Sequence, residues 1–151
     1  MIKQIFSLCL LALVLAVLAY NADISDDKIL VLNNGKSEPI EQLTPNKFIC
    51  YESRTLIADN NDTAQAIMPN GDIYFFNDVT NSFIWYMAQK SKDKIKLYVY
   101  SRDTNRYILA QDAWYSRVDI TPMGYGIGAY EFHTYGINDN YFKEVLLYAA
   151  R

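Results

Sequence analysis

The sequence predicts an α+β protein: two β-hairpin-plus-helix (ββα-type) modules forming a small sandwich, behind an N-terminal export segment. Three observations predict it. Pro69-Asn70-Gly71 separates two short apolar runs, 63–68 and 72–76, as a tight hairpin requires. Residues 95–100 alternate strictly, with Ile95, Leu97 and Val99 on one face. Two segments carry apolar residues at helical spacing: Val79, Phe83, Tyr86 and Met87 in one, and Tyr141, Val145 and Tyr148 with Phe142, Leu146 and Ala149 in the other.

In chain order, residues 1–19 come first. Lys3 precedes an almost unbroken apolar run from Ile5, ending in Val17-Leu18-Ala19. That is the pattern of a secretory signal peptide cleaved after Ala19, with an uncleaved membrane anchor as the alternative. Either places the remainder outside the cytoplasm, exported or anchored. Residues 20–46 read as an irregular, acidic arm with one short strand at 29–32. The folded part, 47–151, divides on pattern into modules of about 47–92 and 93–151. In the first, 48–51 and 54–58 are short extended segments, the hairpin follows, and Asn77 or Asp78 caps a helix. In the second, 95–100 and 127–132 are extended, 107–110 and 114–118 are extended or short helical segments, and 138–150 is a helix.

Composition excludes some functions. The chain of 151 residues has a net charge of −3 and no basic stripe, so it does not read as a nucleic-acid-binding protein. A single histidine, His133, and the lack of a nucleophile elbow, a phosphate loop or a paired-carboxylate signal leave no catalytic constellation, and the chain reads as a non-enzyme. Cys9 lies within the export segment, so Cys50 is left as an unpaired thiol in an oxidising compartment. Such a cysteine is either buried and inert, or a metal ligand or reactive site.

Soft donors are few after residue 19: Cys50, Met68, Met87 and Met123, with His133 as a borderline ligand. Copper(I) prefers thiolate and thioether sulfur, and two or three such donors suffice. Met68 and Met87 fall where core residues belong. Met123, between Pro122 and Gly124 in a turn, has less reason to be there for packing. Glycines 124, 126 and 128 follow it, leaving one face of the next strand almost bare.

Cys50 with Ala64-Gln65, the Asn70-Gly71 hairpin, Phe76-Asn-Asp-Val79, Asp112-Ala-Trp-Tyr115 and above all Thr121-Pro-Met-Gly-Tyr-Gly-Ile-Gly-Ala-Tyr130 resemble the NosL family, over roughly residues 47–131. These are nitrous-oxide-reductase accessory proteins, exported and copper(I)-binding. The resemblance implies paired ββα modules, copper(I) as the ligand, Cys50 and Met123 as metal donors, and a periplasmic or membrane-bound copper donor or acceptor as partner. The chain departs from the family where a methionine usually follows the cysteine by two positions: Glu52 stands there, and Ser53 and Thr55 occupy the places of a second cysteine and its methionine. The alternative is a diverged periplasmic binding or scaffold protein without metal, whose bare glycine strand docks a partner chain.

Overall fold

The computed structural model describes Ser7, residues 9–16 and residues 28–150. Most of residues 1–19, including the expected cleavage point after Ala19, lies outside the described residues; residues 9–16 are helical. No helix among the described residues is long and apolar enough to cross a membrane.

The strands are β1 (Val31–Asn33), β2 (Ala64–Ile67), β3 (Asp72–Phe76), β4 (Lys96–Tyr100), β5 (Tyr107–Leu109), β6 (Trp114–Ser116), β7 (Gly128–Tyr130) and β8 (Asn140–Tyr141). The helices are α1 (Val79–Met87) and α2 (Phe142–Ala149), and short 3-10 turns occupy Lys92–Lys94 and Ala110–Asp112. All ladders are antiparallel. Five strands form one sheet in the order β1-β3-β2-β4-β5, and three form a second, β7-β6-β8.

An α+β class with antiparallel sheets therefore holds, but the strands are not shared out as two ββα modules. β4 and β5, from the second half, join the hairpin of the first half, with Gln65 opposite Tyr98 and Val99 opposite Ile108. The pairing has a simple cause. β2 is buried at all four positions, so its second edge must find a partner to satisfy its backbone groups. In the 20–46 arm a short strand lies close to where 29–32 was expected to be extended: β1 pairs with β3 through Val31–Tyr74.

Locally, the sequence signals act as their chemistry requires. Gly71 takes φ +88° in the hairpin turn, and Asn70 is not left-handed; Met68 N–H donates to Asp72 O at 2.8 Å to close the loop. Asp78 caps α1, its side chain accepting from Thr80 N–H at 2.9 Å. Residues 48–51 and 54–58 make only isolated bridges, Ile29 to Phe48 and Ile49 to Leu56, rather than strands.

The core has an aromatic centre on both faces of the main sheet. Alternation along β3 sends Tyr74 and Phe76 against Trp85 of α1, at 4.9 and 5.4 Å between ring centroids, while Phe75 meets Phe48 at 4.5 Å. Burying each phenylalanine contributes roughly 1.5–3 kcal/mol. α1 and α2 meet through Phe83 and Phe142. The C-terminal helix is shorter than the pattern suggested, because Asn140 and Tyr141 pair with β6. Tyr141 and Tyr148, expected inside, are exposed; Val145 is the fully buried residue, with Phe142, Leu146 and Ala149 packed beside it. A single helix stripe can face one core, and 142, 145, 146 and 149 occupy it.

A carboxylate ties the 101–106 turn to the end of β7. Asp103 accepts from the N–H groups of Glu131 and Phe132, each at 2.9 Å, and from Ser101 Oγ. Burial opposes its ionisation, yet these donors hold it below the ordinary 3.8. Hydrogen bonding to Arg106 holds Glu131 below its ordinary 4.5, and hydrogen bonding to His133 does the same for Asp139. Depressed carboxylates bind fewer protons when folded than unfolded, so their contribution is full above the ordinary values and is lost as pH falls through the folded ones. Stability in urea is therefore expected to fall as pH drops below about 4, and Asp103→Asn to flatten that slope; an unchanged slope in the variant refutes the assignment.

Candidate metal centre

Both predicted donors lie at the N-terminal turn of α1. Cys50 is fully buried at the start of a turn closed by Arg54 N–H donating to Cys50 O at 3.0 Å. Its Sγ accepts from Ser53 N–H at 3.4 Å and from Asn81 Nδ2 at 3.7 Å. Met123 sits on the 117–127 loop with 39% of its surface exposed, and its Sδ accepts from Asn77 Nδ2 at 3.5 Å. Asn81 Nδ2 also donates to Asn77 Oδ1 at 3.0 Å. One unbroken chain, Cys50–Asn81–Asn77–Met123, thus joins two sulfurs 73 positions apart in sequence.

The helix cap completes the arrangement. The Asp78 carboxylate is fully buried; besides capping Thr80 N–H it accepts from Met123 N–H at 3.1 Å, so it fastens the Pro122–Gly124 turn to α1. Asn77 is also held by Ser53 Oγ at 3.2 Å and Thr55 Oγ1 at 2.8 Å. A cleft of about 90 Å³, lined by residues that include Leu56, Ala58, Asn77 and Pro122, opens beside this network. Thr80 Oγ1, on the same turn, is buried without a hydrogen-bond partner. Asn77, Asp78 and Asn81 escaped notice as site residues in the sequence because they read as a helix cap and its polar first turn.

The other soft groups are elsewhere. Met68 packs against the core, and His133 stacks on Trp114 at 4.0 Å and bonds Asp139 at 2.8 Å. Glu52 is exposed. No group of three or more His, Cys, Asp or Glu able to hold a metal is present among the described residues, so the candidate centre rests on two sulfurs. A thiol and a thioether suit a soft monovalent ion and suit hard cations poorly.

No protein-family model, curated protein or solved structure matches the chain.

The glycines after Met123 have a structural reason distinct from partner docking. Gly124 and Gly126 lie outside the strand with φ +74° and +81°, and a Cβ on Gly126 would stand 2.9 Å from Arg117 O. Gly128 is in β7, and its missing side chain makes room for Asp119: a Cβ there would lie 2.0 Å from Asp119 Oδ2. The face expected to be bare is filled from within. Asp119 accepts from Tyr130 Oη at 3.1 and 3.0 Å and sits 3.4 Å from Arg102 Nη1. Arg102 in turn makes a bidentate pair with Asp62, at 2.6 and 2.7 Å, and donates to Ile120 O at 2.7 Å. Hydrogen bonding to Asp62 raises the guanidinium pKa while burial raises that of the Asp62 carboxyl, and the short bidentate geometry is that of an ion pair. This network fixes the loop that carries Met123.

Proposed function

We propose that the protein is an exported copper(I)-binding accessory protein of the NosL type, with Cys50 and Met123 as donors, delivering copper to or accepting it from a periplasmic or membrane-bound partner. The N-terminal segment serves as its leader or tether. The observation that carries this reading is the single side-chain network that gathers the only cysteine after residue 19 and the turn methionine at one helix end. Burial of Cys50 protects a thiol from an oxidising surrounding, while half-exposed Met123 meets the metal first. With Glu52 in place of a thioether, the site offers two sulfur donors, a coordination number copper(I) accepts.

Competition with a copper(I) chelator tests it. The mature protein is expected to take up one equivalent. Outer-shell substitutions typically cost ~10–100-fold in metal affinity, so Cys50→Ser, which removes a donor itself, is expected to cost more. Equal retention by wild type and Cys50→Ser would refute the reading.

A second reading, a partner-docking scaffold without metal, draws on Val118 and Ile120, which stand 86% and 94% exposed on the same loop. It expects association that is indifferent to copper.

A further inference from the structure

We propose that Asn77 is the latch of this centre: its amide parks the Met123 thioether in the metal-free protein, and capture exchanges that N–H···S bond for a metal–sulfur bond while Asn81 stays on Cys50. The inference rests on the copper reading above and assigns the site a resting state.

An asparagine amide has two donor positions and a two-lone-pair acceptor, and Asn77 uses them all. Its Oδ1 accepts from Ser53 Oγ at 3.2 Å and Asn81 Nδ2 at 3.0 Å; its Nδ2 donates to Thr55 Oγ1 at 2.8 Å and Met123 Sδ at 3.5 Å. Three of these bonds are to or from oxygen and fix the amide plane. The fourth ends on a neutral thioether, a weak acceptor. Releasing Met123 therefore costs Asn77 one weak bond of four and leaves the plate in place.

Met123 is free to leave. Its backbone is held separately, by Asp78 Oδ2 at 3.1 Å and by the turn bond from Gly124 N–H to Thr121 O at 3.0 Å, so the side chain can swing without moving the loop. A methionine has three rotatable bonds and tolerates the change. Cys50 behaves in the opposite way. Ser53 N–H and Asn81 Nδ2 point donors at its sulfur, and both bonds become charge-assisted when the thiol releases its proton to solvent on ligation. Asn77 thus competes with the metal for its sulfur, and Asn81 supports the sulfur that binds it.

The test uses the wild-type protein with carbon-13-labelled methionine methyls and nitrogen-15 amides. A cross-relaxation contact between the Asn77 amide protons and the Met123 methyl is expected without metal and lost with one equivalent of copper(I), while the Asn77 contact with Thr55 persists. Two variants separate the roles. Asn77→Ala is expected to free the Met123 methyl before any metal is added and to quicken capture from a copper(I)–chelator complex severalfold. Asn81→Ala removes one of the bonds to Asn77 but leaves those to Ser53 and Thr55, so it is expected to keep the Met123 methyl on Asn77 and lose ~10–100-fold in affinity. Copper bound with the Asn77–Met123 contact intact, or variants that shift affinity in the same direction, overturns the latch alone. A wild type that takes up no copper overturns the copper reading and the latch with it.

Discussion

Arg102→Ala is expected to lower the unfolding free energy by about 3 kcal/mol, measured by urea denaturation, because it strands a buried carboxylate. Asp62 has only 5% of its side chain exposed, and its two oxygens are satisfied by Nε and Nη2 of Arg102 at 2.6 and 2.7 Å. Removing one partner of such a pair leaves an uncompensated charge, a loss of roughly 3–5 kcal/mol for fully buried pairs; about a quarter of the Arg102 side chain is in solvent, which argues for the lower end. The loss reaches beyond the pair. Arg102 also bonds Ile120 O and faces Asp119, so the loop that presents Met123 loses its main clamp. Replacing both partners, as in Asp62→Asn with Arg102→Met, is expected to recover part of the stability, since both charges leave together and asparagine tolerates the left-handed backbone at φ +58°. A single variant within 0.5 kcal/mol of wild type, the ordinary range for a surface change, would show the pair to be an exposed ornament.

Gly128→Ala tests the other side of the same clamp. Gly128 is not left-handed, so alanine can adopt its backbone conformation, and any loss reports the contact alone. The added Cβ would lie 2.0 Å from Asp119 Oδ2, 2.9 Å from its Cγ and 3.0 Å from Arg102 Nε. Asp119 must move, giving up Tyr130 Oη and Arg102. Overpacking of this kind costs typically ~1–3 kcal/mol, and the network it breaks favours the upper end. Adding Asp119→Ala to the variant is expected to restore room and to make Gly128→Ala nearly silent. A loss that survives the double change would place the strain at Arg102, whose Nε stands 3.0 Å from the added Cβ.

The two sets of glycines show how far local reading reaches. Gly71 follows from its sequence neighbours, because a tight hairpin demands a positive φ there. Gly128 does not: the atoms that forbid a side chain belong to Asp119 and Arg102, 9 and 26 positions away. The site divides in the same manner. Cys50 and Met123 were legible as the scarce soft donors in odd settings. Asn77 and Asn81 were not, since each reads as ordinary helix-start chemistry until Met123 and Cys50 arrive from 46 and 31 positions away. Tyr141 and Tyr148 are exposed for a related reason: two apolar stripes compete for one helix face, and Phe142, Val145, Leu146 and Ala149 occupy it.

By itself the sequence determined the local elements: the hairpin at Gly71, a cap at Asn77 or Asp78, the alternation of β4 and the two helices, each set by φ preference, capping or periodicity within a few residues. It also determined the inventory of sulfur. The tertiary structure decided that β4 and β5 extend the first hairpin into one five-stranded sheet, and that Asp119 fills the space beside Gly128. It also decided that two distant sulfurs share one amide network. These are matters of which unsatisfied edge, carboxylate or amide meets which partner. That choice depends on the packing of the whole chain, where a hydrogen bond to a residue 46 positions away leaves no periodic trace.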